Sequence, residues 1–279
     1  IDRNDFETVI DNMEVKKQGI ASWCALNWKA ILAEFVSTTF LLLLGCMASI
    51  PIGGLEQNPA LYSPLGFGFM VLFNIQSFGH ISGAHMNPSV TLTAVLWGKM
   101  SIVLGIAYVI AQCLGAVTGY GILLGLTPIE MIADGVCTTQ PHPDHYSYQA
   151  LLIEVFLSAA LGFVNCAVWD PVNQDKLDSI PIKFGLTIAG LSIVGGPLTG
   201  ASMNPARSFG PALWTWTWNG HWIYWVGPMI GGAVSGLFYK YAWLDKRIPT
   251  LIVQPPTSTQ HQHQTTQPKQ NLEERIERL

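Results

Sequence analysis

Apolar residues are gathered into six stretches, each close to the length of a membrane-spanning helix. The stretches are Ala30–Ile50, Leu61–His80, Ser101–Gly125, Gln149–Trp169, Pro181–Gly200 and His221–Trp243. A helix needs about 20 predominantly apolar residues to cross the hydrocarbon core of a bilayer. Three stretches lie in each half of the chain, and the pattern predicts six transmembrane helices.

Two further apolar runs, Ser89–Trp97 and Ala206–Trp214, are too short to cross a bilayer. Each run follows an Asn-Pro pair, and proline is favoured in the first turn of a helix. The runs therefore predict two half-helices. The preceding segments, 80–86 and 196–203, are rich in small residues and predict non-helical backbone. At membrane depth such backbone must be buried in protein or line a water-filled cavity.

The two Asn-Pro pairs belong to one motif that occurs twice. Residues 83–89, Gly-Ala-His-Met-Asn-Pro-Ser, return 117 positions later as residues 200–206, Gly-Ala-Ser-Met-Asn-Pro-Ala. When a unit with three membrane crossings is duplicated, its two copies lie in the bilayer in opposite orientations. The sequence thus predicts an all-α membrane protein of inverted three-helix repeats, with six transmembrane helices and two re-entrant half-helices that meet N-terminus to N-terminus.

Composition agrees with this fold class, since 49% of the residues are hydrophobic and 11% are charged, against about 25% charged in soluble domains. The polar ends predict a division into three parts. A cytoplasmic N-terminal segment covers 1–26, and a disordered cytoplasmic tail covers 245–279. The membrane domain covers 27–244, with repeat one at about 27–125 and repeat two at about 149–244.

The basic residues predict the orientation. All but one of the 14 Lys and Arg fall in segments on one side of a six-span arrangement. By the positive-inside rule that side is cytoplasmic, as are both termini. The exception is Arg207, beside the second motif, where an arginine at membrane depth costs about 2.5–3.5 kcal/mol and indicates a function. The net charge of -4, without a basic cluster, argues against nucleic acid as a partner.

The two motifs also predict the chemistry of a pore. Facing helix N-termini place about half a positive charge each at the centre, and Asn87 and Asn204 would add amide donors there. A permeating molecule must then present an oxygen, which interrupts a proton-conducting chain and repels cations. Pro88 with Ser89, and Pro205 with Ala206, complete the motifs. Asn58-Pro59 has no partner at the repeat offset and is interpreted as a turn.

Two carboxylates occupy matching places near the starts of the first and fourth spans. Glu34 and Glu154 are expected to accept hydrogen bonds from the irregular backbone of a pore loop, because an isolated charge facing lipid is too costly. A proton-carrying pair is the alternative. The five cysteines have no metal-ligand spacing and are interpreted as small buried apolar residues.

Metal and enzyme chemistry find little support in the sequence. His142, Asp144 and His145 in the third loop are the candidate metal ligands, but their position in an external loop flanked by prolines argues against a metal site. No nucleophile–base pair is visible. We expect no metal, no cofactor and no enzymatic activity.

From about Trp28 to Trp243 the chain resembles the aquaporin, or major intrinsic protein, family. The motifs at 82–88 and 203–211 are highly specific for that family and carry the resemblance. The resemblance implies a homotetramer in a lipid bilayer with one pore per subunit. It also implies an aromatic/arginine constriction on the outer side of the Asn-Pro motifs, formed here by Phe67, Ser192, Ala201 and Arg207. Ser89 departs mildly from the usual alanine, at a position expected to cap behind the asparagine.

Two constriction positions depart from the water-selective pattern, in which histidine is typical at Ser192 and cysteine frequent at Ala201. Both residues are small here, which implies a wider opening beside Phe67. Other positions keep water-channel residues: Ser208, Ala212, Tyr224 and Trp225. This combination resembles the insect glycerol-transporting branch, the entomoglyceroporins.

The sequence therefore predicts a multi-pass channel of the plasma membrane that passes water, glycerol and urea and excludes protons and ions. The alternative within the class is a strictly water-selective aquaporin. Two other classes also stay open. A secondary transporter is also built from inverted repeats with broken helices, and a junctional or adhesive membrane protein could have a closed pore.

Overall fold

The computed structural model describes residues 19–51, 53, 60–128 and 135–244. The predictions for residues 1–18, for the Asn58-Pro59 turn and for the tail 245–279 concern residues outside these ranges. The division into three parts therefore stays a prediction.

Within these ranges the chain forms eight α-helices, six long and two short. They are α1 (Ile20–Met47), α2 (Tyr62–Ser82), α3 (Pro88–Trp97), α4 (Ile102–Leu126), α5 (Ser147–Trp169), α6 (Ile180–Thr199), α7 (Pro205–Thr215) and α8 (Ile223–Phe238). A 3₁₀ segment, Pro171–Ser179, joins α5 to α6, and a π-helical turn, Tyr239–Trp243, continues α8. The short helices α3 and α7 follow the two Asn-Pro pairs, as the sequence predicts.

Some boundaries differ from the prediction. Helix α1 begins at Ile20, ten residues before the apolar stretch, because no proline or internal glycine interrupts this part of the chain. Helices α2 and α6 extend three to four residues into the segments predicted to be irregular, to Ser82 and Thr199. Each ends at a left-handed glycine, Gly83 with φ 88° and Gly200 with φ 77°, a common way to stop a helix. The irregular backbone is limited to 83–87 and 200–204.

Four helical stretches of the described chain are long and apolar enough by themselves to cross a membrane. They are Ser22–Met47, Ile102–Leu126, Ser147–Trp169 and Pro171–Thr199. The remaining long helices, α2 and α8, give a weaker signal than the six-stretch prediction implied. Helix α2 contains the buried Asn74, and the α-helical part of α8 has 16 residues.

The two halves of the chain pack in the same way and interlock. Helix α1 packs on α4, and α5 packs on α8, so the first and third long helices of each repeat form a pair. Helix α2 packs on α6 across the repeats. Each short helix lies against the third long helix of the other repeat, α3 on α8 and α7 on α4. Neither repeat therefore completes its own core.

Glycines allow α2 and α6 to approach closely. A Cβ atom at Gly68 would lie 2.5 Å from the carbonyl oxygen of Gly185, and one at Gly185 would lie 2.9 Å from the carbonyl oxygen of Gly68. These glycines are 117 positions apart, at the repeat offset. The contact between the repeats is thus itself symmetric.

We predict that Gly185→Val destabilises the protein by about 1–3 kcal/mol, since added atoms in a tight contact force the backbones apart. The measurement is the melting temperature of the purified protein in detergent. The matched control is Gly190→Val on the same helix, where an added Cβ meets nothing within 4 Å. Equal losses for both variants would show that the α2–α6 contact does not limit stability.

Candidate functional site

Asn87 and Asn204 cap the short helices. The Oδ1 atom of Asn87 accepts a hydrogen bond from the Ser89 backbone N–H at 2.8 Å. The Oδ1 atom of Asn204 accepts from the backbone N–H groups of Ala206 at 3.0 Å and Arg207 at 3.1 Å. Proline occupies the first helical position after each asparagine, where a backbone N–H would have no partner in the helix.

The same two asparagines join the repeats. The Nδ2 atom of Asn87 donates to the Met203 carbonyl at 2.9 Å, and the Nδ2 atom of Asn204 donates to the Met86 carbonyl at 2.8 Å. Both side chains are buried. The reciprocal bonds bring the N-termini of α3 and α7 together and leave each amide a second N–H.

The segments that lead into the asparagines share an unusual backbone. Ala84 and Met86 have φ values of 47° and 52°, and their counterparts Ala201 and Met203 have 46° and 54°. Left-handed conformations cost a non-glycine residue about 1–3 kcal/mol and persist only where the surroundings enforce them. Both segments therefore need strong local partners.

Glu34 is the partner of the first segment. Its carboxylate accepts hydrogen bonds from the backbone N–H groups of His85 at 2.9 Å and Met86 at 2.8 Å. The Ser82 hydroxyl and the Gln112 amide also donate to it, at 2.6 and 2.8 Å. Glu34 is fully buried, and these four donors replace the water that the carboxylate loses.

Glu154 does the same for the second segment. It accepts from the backbone N–H groups of Ser202 at 2.9 Å and Met203 at 2.8 Å, and from the Thr199 hydroxyl at 2.7 Å. The donors lie 117 positions after their counterparts around Glu34. A tyrosine hydroxyl completes each arrangement, since Tyr108 donates to the Ser82 carbonyl and Tyr224 to the Thr199 carbonyl.

Arg207 is the third residue of α7 and is 8% exposed. Its Nη1 atom donates to the Cys137 carbonyl at 2.6 Å. Its Cζ atom lies 4.7 Å from the centroid of the Phe67 ring, within cation–π distance. Ala201 is buried in the same apolar cluster as Phe67. Ser192 lies on α6, partly buried, two turns before the end of the helix.

The hydroxyl of Ser89 has a role different from the expected cap. It donates to the Pro228 carbonyl of α8 at 2.6 Å, while the Asn87 side chain does the capping. Thr93, one turn later, donates to the Gly232 carbonyl at 3.1 Å. The serine therefore fastens α3 to the helix of the other repeat.

Two cysteines were misinterpreted from the sequence. Cys46 and Cys137 form a disulfide between the end of α1 and the loop that precedes α5, with their Cα atoms 5.4 Å apart. The 91-residue separation carries no pairing signal. The position of Cys137 in a loop, outside the apolar spans, is the signal that could have set it apart. Cys24, Cys113 and Cys166 are free.

The third loop brings part of its candidate metal ligands together. Nδ1 of His142 lies 3.7 Å from Oδ2 of Asp144, and both side chains are well exposed. The His145 ring packs edge-on against His142. Among the described residues, no group of three or more His, Cys, Asp or Glu is placed to hold a metal ion.

Comparison with known proteins identifies the arrangement. The family model described as Major intrinsic protein matches residues 21–239. The chain belongs to the major intrinsic protein family. Aquaporin-4 of Mus musculus is 41% identical over 225 residues, which cover 79% of this chain and 69% of that protein. The lens fiber major intrinsic protein of Lithobates pipiens is 41% identical over 216 residues, covering 77% and 81%.

A solved structure agrees with the family assignment. The X-ray structure of the aquaglyceroporin from Plasmodium falciparum matches with a TM-score of 0.66 at 25% identity, covering 77% of this chain and 96% of that one. The predicted all-α, aquaporin-like fold is thereby confirmed. The protein is a membrane channel of the major intrinsic protein family.

We predict that Glu154→Gln lowers the stability by about 1–3 kcal/mol, because an amide turns a donor toward groups that themselves donate. The melting temperature of the purified protein in detergent measures the effect. Asp144→Asn is the matched control, since it makes the same chemical change at an exposed site. An unchanged melting temperature for Glu154→Gln would show that the second loop does not depend on the carboxylate charge.

Proposed function

We propose that this protein is a passive channel for water and small uncharged solutes, glycerol first and urea second, and that it excludes protons and ions. The carrying observation is the pair of facing helix N-termini, joined by the reciprocal Asn87 and Asn204 hydrogen bonds, with Arg207 close by. The family assignment supports a channel for small solutes.

This arrangement supports the exclusion of protons and cations. Each asparagine amide uses one N–H to bind the opposite motif, and the other N–H is the donor for a permeating oxygen. Two helix N-termini add partial positive charge at the same depth. A water molecule whose oxygen accepts hydrogen bonds from both asparagines cannot pass a proton along a chain of waters. A cation at this depth is repelled by the positive potential.

The two buried carboxylates support a channel over an ion-coupled transporter. Such a transporter needs acidic ligands near the membrane midplane, and Glu34 and Glu154 are the acidic candidates there. Both are already occupied by donors from the pore loops. The same occupancy disfavours a proton-carrying pair.

The proposed constriction consists of Phe67, Ser192, Ala201 and Arg207. The close approach of Arg207 to the Phe67 ring supports the pairing of an apolar wall with a donor. Small side chains at Ser192 and Ala201 leave room for the carbon edge of a polyol. We therefore extend the proposal to the insect glycerol-transporting branch as the subfamily.

Strict water selectivity is the second candidate. The identity to mouse aquaporin-4 is 41%, whereas the identity to the protein named as an aquaglyceroporin is 25%. The identity to the lens fiber major intrinsic protein of Lithobates pipiens is also 41%. Overall similarity thus favours relatives that are not named as glycerol channels, while the two small constriction residues favour glycerol. A direct flux measurement separates the two.

We propose a plasma-membrane location with cytoplasmic termini. Disulfides persist on the oxidising, extracellular side of membranes, so the Cys46–Cys137 pair supports an outward position for the end of α1. The start of α1 then faces the cytoplasm, in agreement with the distribution of lysines. Outward-pointing apolar side chains such as Phe156 and Val194, 72% and 62% exposed, support coverage by lipid and by subunits of a homotetramer.

The first expected outcome is rapid flux of water, glycerol and urea through the purified protein. The measurement is stopped-flow light scattering of proteoliposomes under an osmotic or solute gradient, with empty vesicles as the control. Fast water flux without glycerol or urea flux above the control would establish the water-selective alternative. Saturable, ion-dependent flux would favour a transporter, and no flux at all would favour a junctional role.

The second expected outcome concerns the size of the opening. Ser192→His adds a ring to the constriction and should reduce glycerol flux about tenfold while largely preserving water flux, because pore diameter limits the larger solute. Ser192→Ala is the matched control and should retain glycerol flux. Unchanged glycerol flux in Ser192→His would place the size limit elsewhere.

A further inference from the structure

We infer that the Cys46–Cys137 disulfide is a positioning element of the channel constriction, which acts through the guanidinium of Arg207. Neither cysteine belongs to the four proposed constriction residues. The inference rests on the proposed function, because it assigns the disulfide an effect on permeation through that same site.

The disulfide and the guanidinium share one residue. Arg207 donates from Nη1 to the carbonyl oxygen of Cys137 at 2.6 Å, and the side chain of Cys137 is bonded to Cys46. Cys46 is fully buried near the end of α1. The disulfide therefore links helix α1 covalently to Cys137, whose carbonyl accepts the hydrogen bond from Arg207.

The backbone at Cys137 needs such a link. Its φ angle is 68°, in the left-handed region, and Gly135 two residues earlier has φ 71°. Glycine adopts this conformation readily, but a residue with a side chain keeps it only where its surroundings enforce it. Without the disulfide, Cys137 could relax to a negative φ, which would turn the adjoining peptide groups.

Hydrogen bonds with two other helices hold the neighbours of Cys137. The Tyr120 hydroxyl of α4 donates to the Val136 carbonyl at 2.7 Å. The Thr139 hydroxyl donates to the Ser208 hydroxyl of α7 at 2.7 Å. These bonds keep the loop near the pore when the disulfide is absent, so that removing it changes the local angle of the Cys137 carbonyl.

If the Cys137 carbonyl turns away, the Arg207 guanidinium loses its hydrogen-bond acceptor and must donate to another group. Arg207 lies against the Phe67 ring at 4.7 Å, and a cation–π contact leaves its in-plane N–H groups free. Permeating water is an alternative acceptor. The released side chain would then occupy part of the opening and bind water more tightly, and both effects slow permeation.

The test is a comparison of Cys46→Ser with the wild type in proteoliposomes. Cys46→Ser leaves the loop and constriction residues unchanged. Its unit water permeability is expected to fall about threefold or more, because the released guanidinium narrows the opening and binds water more tightly. The Arrhenius activation energy of water flux should rise. Once the flux of empty vesicles has been subtracted, this quantity does not depend on the amount of folded protein.

Cys166→Ser is the matched control, because Cys166 is also fully buried but is a free cysteine, and its permeability should equal that of the wild type. Cys46→Ser in an Arg207→Ala background tests whether the disulfide acts through Arg207. There, Cys46→Ser should have no further effect. If Cys46→Ser does not assemble, the double variant Cys46→Ala/Cys137→Ala replaces it.

Wild-type permeability and activation energy in Cys46→Ser would overturn the inference. A loss that persists at the same size in the Arg207→Ala background would also overturn it, since the disulfide would then act by another route. Absence of water flux in the wild type would contradict the proposed function instead.

Discussion

Two buried carboxylates set the conditions on which the rest of this structure depends. Each of the segments 83–87 and 200–204 contains two non-glycine residues with left-handed backbone, at about 1–3 kcal/mol each. Glu34 and Glu154 offset this cost with charge-assisted hydrogen bonds to successive backbone N–H groups, each contributing about 1.5–3 kcal/mol. Without them the segments could not turn both asparagines toward one point.

Duplication explains why the carboxylates, asparagines and half-helices occur in pairs. Packing explains why each member of a pair depends on the other repeat. Helix α3 is fastened to α8 by the Ser89 hydroxyl, and α7 packs on α4. Each half-helix thus depends on the other repeat, and so does each asparagine amide. The two halves form one centre that neither could form alone.

The symmetry ends at the constriction. The position that corresponds to Arg207 in the first repeat is Val90, an apolar residue. The loop that supplies the Cys137 carbonyl also belongs to the connection between the repeats and has no duplicate. The repeated parts create the fold and the central donors, while residues without a counterpart in the other repeat supply the guanidinium of Arg207 and its acceptor.

The sequence by itself determined the six apolar stretches, the two half-helices, the paired Asn-Pro motifs and the matching carboxylates, because bilayer thickness, proline geometry and the cost of buried charge act locally. It missed the start of α1, the Ser89–Pro228 bond and the Cys46–Cys137 disulfide. The last two join residues far apart in the chain. Only the tertiary structure decided them, since they depend on which distant segments meet in space.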